Sequence, residues 1–178
     1  KAAEGFLMMG DKPRALEGYD GASTTFYKLG QIDSALHYAR KGLSLVANVK
    51  KHTVTNLYLN YAEALMGNQQ IDSAFYYALT ADAIIQEEGR AGGIARSQLC
   101  LANITSLSGG KQRAIPYYQK AIEQFKIAQE PYHLVDAIDS LSNIYADLGL
   151  FKSAFQTSKT AFRMRDSLHQ DRLQKDND

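Results

Sequence analysis

The chain has 178 residues, 45% of them apolar, and a formal charge of only +1. That composition excludes disordered and fibrous classes, and the balanced charge gives no electrostatic reason to expect nucleic acid or an anionic membrane as partner. Cys100 is the single cysteine, which excludes an internal disulfide and a cysteine zinc cluster, and no run approaches the ~18 apolar residues of a membrane helix.

Lys1 to Met9 has a counterpart further along. Lys1-Ala2-Ala3-Glu4-Gly5-Phe6 aligns with Lys120-Ala121-Ile122-Glu123-Gln124-Phe125, and the alignment runs ungapped to Leu29-Gly30 against Leu148-Gly149. Residues 1–9 therefore read as the end of a second helix whose first helix is missing. The start at Lys1 rather than Met suits a piece of a longer protein. A frayed helix unrelated to the rest is the alternative.

Pair one covers 13–50. Pro13 stands where a helix can begin, because its missing N–H would be unpaired there anyway. Tyr19, Ala22, Ser23 and Phe26 fall on one helical face at i, i+3, i+4, i+7, and Gly30 stops the helix. Ile32, Ala35, Tyr38, Ala39, Gly42, Leu43 and Val46 make the stripe of the next helix, with Asp33 at its positive end. Asn48 to His52 is the expected turn.

Pair two covers 53–89. Tyr58, Tyr61, Ala62 and Leu65 mark its first helix, Gly67-Asn68-Gln69 its turn, and Ile71, Ala74, Tyr77, Ala78, Ala81 and Ile85 its second helix. Gly89 to Gly93 is a glycine-rich break. Pair three covers 91–129, with Leu101, Ala102 and Thr105, then Gly109-Gly110, then Ala114, Tyr117, Tyr118, Ala121, Ile122 and Phe125. Pro116 is expected within the first turn or so of its helix, where proline is tolerated. Pair four covers 131–168, with Ile138, Leu141, Ser142 and Tyr145, then Gly149, then Phe151, Ala154, Phe155, Ala161, Phe162 and Met164. A charged stretch over 169–178 reads as a helical extension, a frayed tail or a linker.

The alanines Ala35, Ala74, Ala114 and Ala154 are separated by 39, 40 and 40 residues. A fixed period near this length marks a helical repeat array. Small residues recur at Ser23, Ala62, Ala102 and Ser142, and again at Gly42, Ala81, Ala121 and Ala161. They let helix axes approach toward the close end of the ~8–10 Å packing range. One pair cannot bury its apolar face alone, so neighbours must stack.

The pattern resembles the tetratricopeptide repeat (TPR). Tyr19-Ala22-Ser23-Phe26, Gly30, Ala35, Tyr38 and Gly42 match it loosely, as do Tyr58-Tyr61-Ala62-Leu65, Ala74, Tyr77 and Ala81. The chain departs in having no tryptophan, few closing prolines and a longer period. The resemblance implies an all-α fold: an α-solenoid of stacked antiparallel helix pairs in a right-handed superhelix, about four pairs plus the end of a preceding helix, as one array over 1–178. HEAT-like repeats are the alternative.

The residues offer no catalytic constellation. His37, His52, His133 and His169 are scattered and lack metal-ligand spacing, and Cys100 has no base placed beside it. His37 reads as exposed, His52 and His133 as lying near helix starts, and Cys100 as half-buried. No cofactor, metal or catalytic residue is expected, and the reading is non-enzymatic. In TPR proteins first helices line a concave groove that takes a protein or peptide segment. The resemblance implies groove positions at Tyr27, Asn56, Asn60, Glu63, Arg96, Asn103, Asp139 and Asn143, with Asp20, Thr24, Cys100 and Asp147 also facing inward. Asn103 and Asn143 occupy one repeat position, where asparagine bonds the backbone of an extended ligand in peptide-binding TPR domains. Asp20, Leu59, Leu99 and Asp139 stand where a carboxylate clamp would need lysine. The ~40-residue repeats, I-D-S-A and Arg165-Asp166-Ser167-Leu168 are similar to sensory TPR regions of bacterial membrane-bound regulators. That similarity implies a sensing module of a signalling protein, periplasmic beside a membrane anchor in the parent chain, with the cytoplasm as alternative. The fragment itself would touch neither membrane nor nucleic acid. A structural scaffold acting through self-association or a fixed subunit is the other functional class.

Overall fold

A computed structural model describes residues 2–47, 49 and 51–175, except the side chains of residues 2, 51–53 and 175. The described residues form helices α1 (Ala2–Met8), α2 (Lys12–Lys28), α3 (Ile32–Leu43), α4 (Lys51–Gly67), α5 (Ile71–Glu88), α6 (Ala91–Leu107), α7 (Lys111–Ile127), α8 (Pro131–Asp147) and α9 (Phe151–Lys175), without a strand. The fold is an all-α array of antiparallel helix pairs, the α-solenoid class. The chain divides into two compact units, Lys1–Glu88 and Gly89–Asp178.

In the first unit α2 pairs with α3 and α4 with α5, and α1 lies on α2. Ala3 is buried there, so close to Gly18 that a Cβ on that glycine would come within 3.0 Å of the Ala3 Cβ. Helix α1 thus lies on α2 as α7, whose Lys120–Phe125 aligns with it, lies on α8. The small residues sit as the period requires: Ser23, Ala35, Ala62, Ala74 and Ala81 have no exposed surface. Gly42 is small for a specific reason, since an added Cβ would stand 3.0 Å from Cδ2 of the fully buried Leu57.

In the second unit α6 pairs with α7 and α8 with α9, while α8 also packs on α7. One cluster joins Ala95, Ala121, Phe125, Leu134, Val135, Ala137, Ile138 and Ala161. A second joins Ala102, Ala114, Tyr118, Leu141 and Ile144. The serines of the small-residue series do more than keep helices close. The Ser23 hydroxyl donates to the Ala35 carbonyl, and the Ser142 hydroxyl to the Ala154 carbonyl, each at 2.9 Å and buried.

One hydrogen bond closes the turns. The N–H of Gln31 donates to the carbonyl of Phe26, Gln70 to Leu65, Gly110 to Thr105 and Leu150 to Tyr145. The same bond ends α1, from Asp11 to Phe6, and α7, from Glu130 to Phe125. This is the six-to-one bond of a Schellman motif, which needs a left-handed residue just before the donor. Gly10, Gly30, Gly109 and Gly149 supply it, and Gln69 and Gln129 adopt it with φ of 60° and 55°.

Several local expectations are corrected. The turn expected over Gly67-Asn68-Gln69 begins one residue later: Gly67 is the last residue of α4, where an added Cβ would stand 3.0 Å from Ile32 Cδ1, and Gln69 takes the left-handed conformation. The turn expected over Asn48–His52 ends earlier, because α4 begins at Lys51. The side chain of His52, like Lys1 and Asn48, lies outside the described residues. The break at Gly89–Gly93 shrinks to Gly89-Arg90, and Gly92 and Gly93 are helical. Pro116 is the sixth residue of α7, beyond the first turn, so Gln112 loses the partner that an N–H would give its carbonyl. Helix α9 continues through the charged stretch to Lys175.

Candidate functional site

The expected site residues fall on first helices and are described unit by unit. On α4, Asn56, Asn60 and Glu63 follow at i, i+4, i+7, a single face. Asn56 is exposed and Glu63 half-buried, but Asn60 is only 7% exposed. Its Nδ2 donates to Asp20 Oδ1 at 2.7 Å, so this amide ties α4 to α2. Tyr27, near the end of α2, is half-buried, with its ring beside Gly67. Thr24 turns its hydroxyl back on its own helix, donating to the Asp20 carbonyl.

In the second unit, Arg96 and Asn103 lie seven residues apart on α6, both half-buried. Cys100 between them is 2% exposed, which corrects the half-buried thiol expected there to a buried one. Asp139 and Asn143 lie at i, i+4 on α8, Asp139 half-buried and Asn143 exposed. Arg165 of α9 donates to the Asp139 carboxylate, and Lys111 of α7 holds Asp147 at 2.7 Å.

The two equivalent asparagines differ. The Tyr118 hydroxyl on α7 donates to Asn103 Oδ1 at 2.6 Å. Burial pushes the Tyr118 hydroxyl up to about 12, so it remains a donor across the whole ordinary pH range. A side-chain amide has an acceptor oxygen and two N–H donors. With the oxygen held, Asn103 presents its N–H groups in a fixed direction. One repeat later Tyr118 is replaced by Ser158, which bonds the Phe155 carbonyl in its own helix. Asn143 therefore has the same chemistry without the tether. The tyrosine tie was not read from the sequence, where Tyr117-Tyr118 looked like packing alone.

At the positions where a clamp would need lysine, Leu59 is buried, Leu99 joins the apolar clusters, and Asp20 and Asp139 are bonded to Asn60 and Arg165. His37 is exposed, with its ring edge-on to Tyr38. His133 is near the start of α8, its Nδ1 3.1 Å from Glu130 Oε2 and its ring stacked on Phe125. Among the described residues no group of His, Cys, Asp or Glu is placed to hold a metal ion, and no helix is long and apolar enough to cross a membrane.

No family model and no curated protein matches the chain. Solved structures do. Aspartyl phosphate phosphatase F from Bacillus subtilis superposes with a TM-score of 0.82 at 16% identity, over 94% of this chain and 44% of that one. A Rap protein complexed with competence and sporulation factor gives 0.78 at 17%, over 88% and 45%. A signal-transduction ATPase from Pyrococcus horikoshii with a tetratricopeptide repeat sensor gives 0.72 at 20%, over 90% and 26%. The chain thus spans less than half the length of each of these three. At these identities the likeness is one of fold, and the fold is TPR-like.

Proposed function

We propose that this chain is a non-enzymatic binding module that takes an extended segment of a protein or peptide along its first helices. In a larger regulatory protein it serves as the sensing part. The observation that carries the reading is the Tyr118–Asn103 bond. Holding the amide oxygen presets its N–H groups for backbone carbonyls of a ligand, and presetting a polar group lowers the ordering cost of binding. Asn143 offers the same group one repeat on. With no lysine at the clamp positions, the ligand is an internal stretch of backbone rather than a chain terminus. The likeness to a Rap protein complexed with a factor, and to an ATPase bearing a TPR sensor, supports the same reading.

Selection of a random peptide library on the wild-type chain, with affinities re-measured on Asn103→Ala/Asn143→Ala, tests it. The expected result is peptides that lose about tenfold or more in affinity while helical circular dichroism is unchanged. Peptides that bind both proteins equally would contradict it. A second reading, an assembly scaffold, is favoured by one observation: three phenylalanines of α9 lie open to solvent.

A further inference from the structure

Phe151, Phe155 and Phe162 are 73%, 67% and 67% exposed, and Leu173 is 48% exposed. At about 100° per residue they fall within a strip roughly 40° wide, running about 33 Å along α9.

The repeat shows what such a strip is for. Forty residues before Phe155 and Phe162 stand Ile115 and Ile122 of α7. Those isoleucines are partly buried against the cluster that holds Leu141 and Ile144 of α8. On α7, then, a helix covers the surface that α9 leaves open. The open surface also has a fitted recess. Phe162, Arg165, Asp166 and His169 line a cleft of about 240 Å³. Their spacing of i, i+3, i+4, i+7 is that of the four residues that receive one knob from a facing helix.

Charge indicates the occupant. Helix α8 carries Asp136, Asp139 and Asp147 and neither lysine nor arginine, whereas α7 carries Lys111, Arg113, Lys120 and Lys126 against Glu123 alone. A basic second helix is thus covered by an acidic first helix, and Lys111–Asp147 is one contact between them. Lys152, Lys159 and Arg163 flank the α9 strip on one side. Two copies of α9 face to face would oppose these like charges, which argues against a second copy. Where α7 ends and the chain reverses at Ala128–Glu130, the equivalent Leu168–Gln170 stay helical, so the strip extends beyond the length that α7 offers.

We propose that the Phe151–Phe155–Phe162 face of α9 docks an acidic amphipathic helix of a partner protein, with an apolar side chain seated between Phe162 and His169. This surface is independent of the asparagine-lined face.

The test uses a fluorescent synthetic peptide of residues Pro131–Asp147, the acidic helix that covers the equivalent face of α7. Anisotropy titrations compare the wild-type chain, Phe155→Ala/Phe162→Ala, Lys159→Glu/Arg163→Glu and Asn103→Ala/Asn143→Ala, each checked by circular dichroism. The expected result is saturable binding, weakened about tenfold or more without the two aromatics. Charge reversal should weaken it several-fold, with the difference shrinking in high salt, and the asparagine variant should bind like wild type. Sedimentation should show a monomer. Absence of binding, equal affinity for the aromatic variant, or a dimer that dissociates in that variant would overturn the proposal, the last by making a second copy the occupant.

Discussion

Asn103 and Asn143 share a repeat position and one chemistry, yet only Asn103 is held in place. Its tether is Tyr118, whose hydroxyl donates at 2.6 Å. Replacing Tyr118 with Phe removes one hydrogen bond and keeps the buried ring, so the fold should survive. A selected peptide should bind a few-fold more weakly, because the freed amide must be ordered on binding. The same residue makes a pH prediction. The folded state holds the Tyr118 proton up to about 12, whereas an unfolded tyrosine loses it near 10. Its contribution is complete below the unfolded value and falls as pH rises from about 10 to 12, since the unfolded chain releases the proton first. Tyr77, also raised by burial and by its neighbours Tyr61, Tyr76 and Tyr58, acts in the same direction. Urea melts of Tyr118→Phe should lose stability less steeply than wild type over that range. Parallel curves would show that Tyr118 ionises alike in both states.

At the scale of the helix, a turn that demands a left-handed residue repeats through the chain. Among the described residues the sequence meets the demand five times with glycine, at Gly10, Gly30, Gly89, Gly109 and Gly149, and twice with glutamine, at Gln69 and Gln129. A residue with a Cβ pays about 1–2 kcal/mol for that conformation. Gln129→Gly should therefore stabilise the chain by about 1 kcal/mol, allowing for the greater freedom of glycine when unfolded. That is a rise in melting temperature of roughly 3 °C for a chain of this size. A lower melting temperature would mean that the Gln129 side chain supplies a contact worth more than the strain. These elements also show what the sequence discloses. The small residues repeat because every pair meets the same steric demand, and Ala35, Ala74 and Ala114 are indeed fully buried. The glutamines in left-handed turns were harder to see, because glycine is the residue that ordinarily marks that conformation. The end of α9 was not legible either, since a charged solvated helix and a charged linker share one composition.

At the scale of the molecule, the period of about 40 residues fixes which faces are equivalent but not which side chains bond across them. Asn103 and Asn143 were legible because they are equivalent. Tyr118, Arg165 and the Asp20–Asn60 tie were not, because each occurs once: the residue one repeat after Tyr118 is Ser158, and the residue one repeat before Arg165 is Phe125. The two units carry different shares of the expected face. In the first, the Asn60 amide is bonded to Asp20; in the second, Asn103 accepts from Tyr118, and the proposed reading assigns the amide N–H groups of Asn103 and Asn143 to a ligand. Side-chain amide spectra of the uniformly ¹⁵N-labelled chain, recorded as a selected peptide is added, test this assignment most directly. The asparagine-lined reading predicts that the Nδ2 resonances of Asn103 and Asn143 move most, and that the amides of α9 stay in place. Unmoved Asn103 and Asn143 resonances, with shifts concentrated around Phe155 and Phe162, would contradict it and make the α9 strip the peptide site.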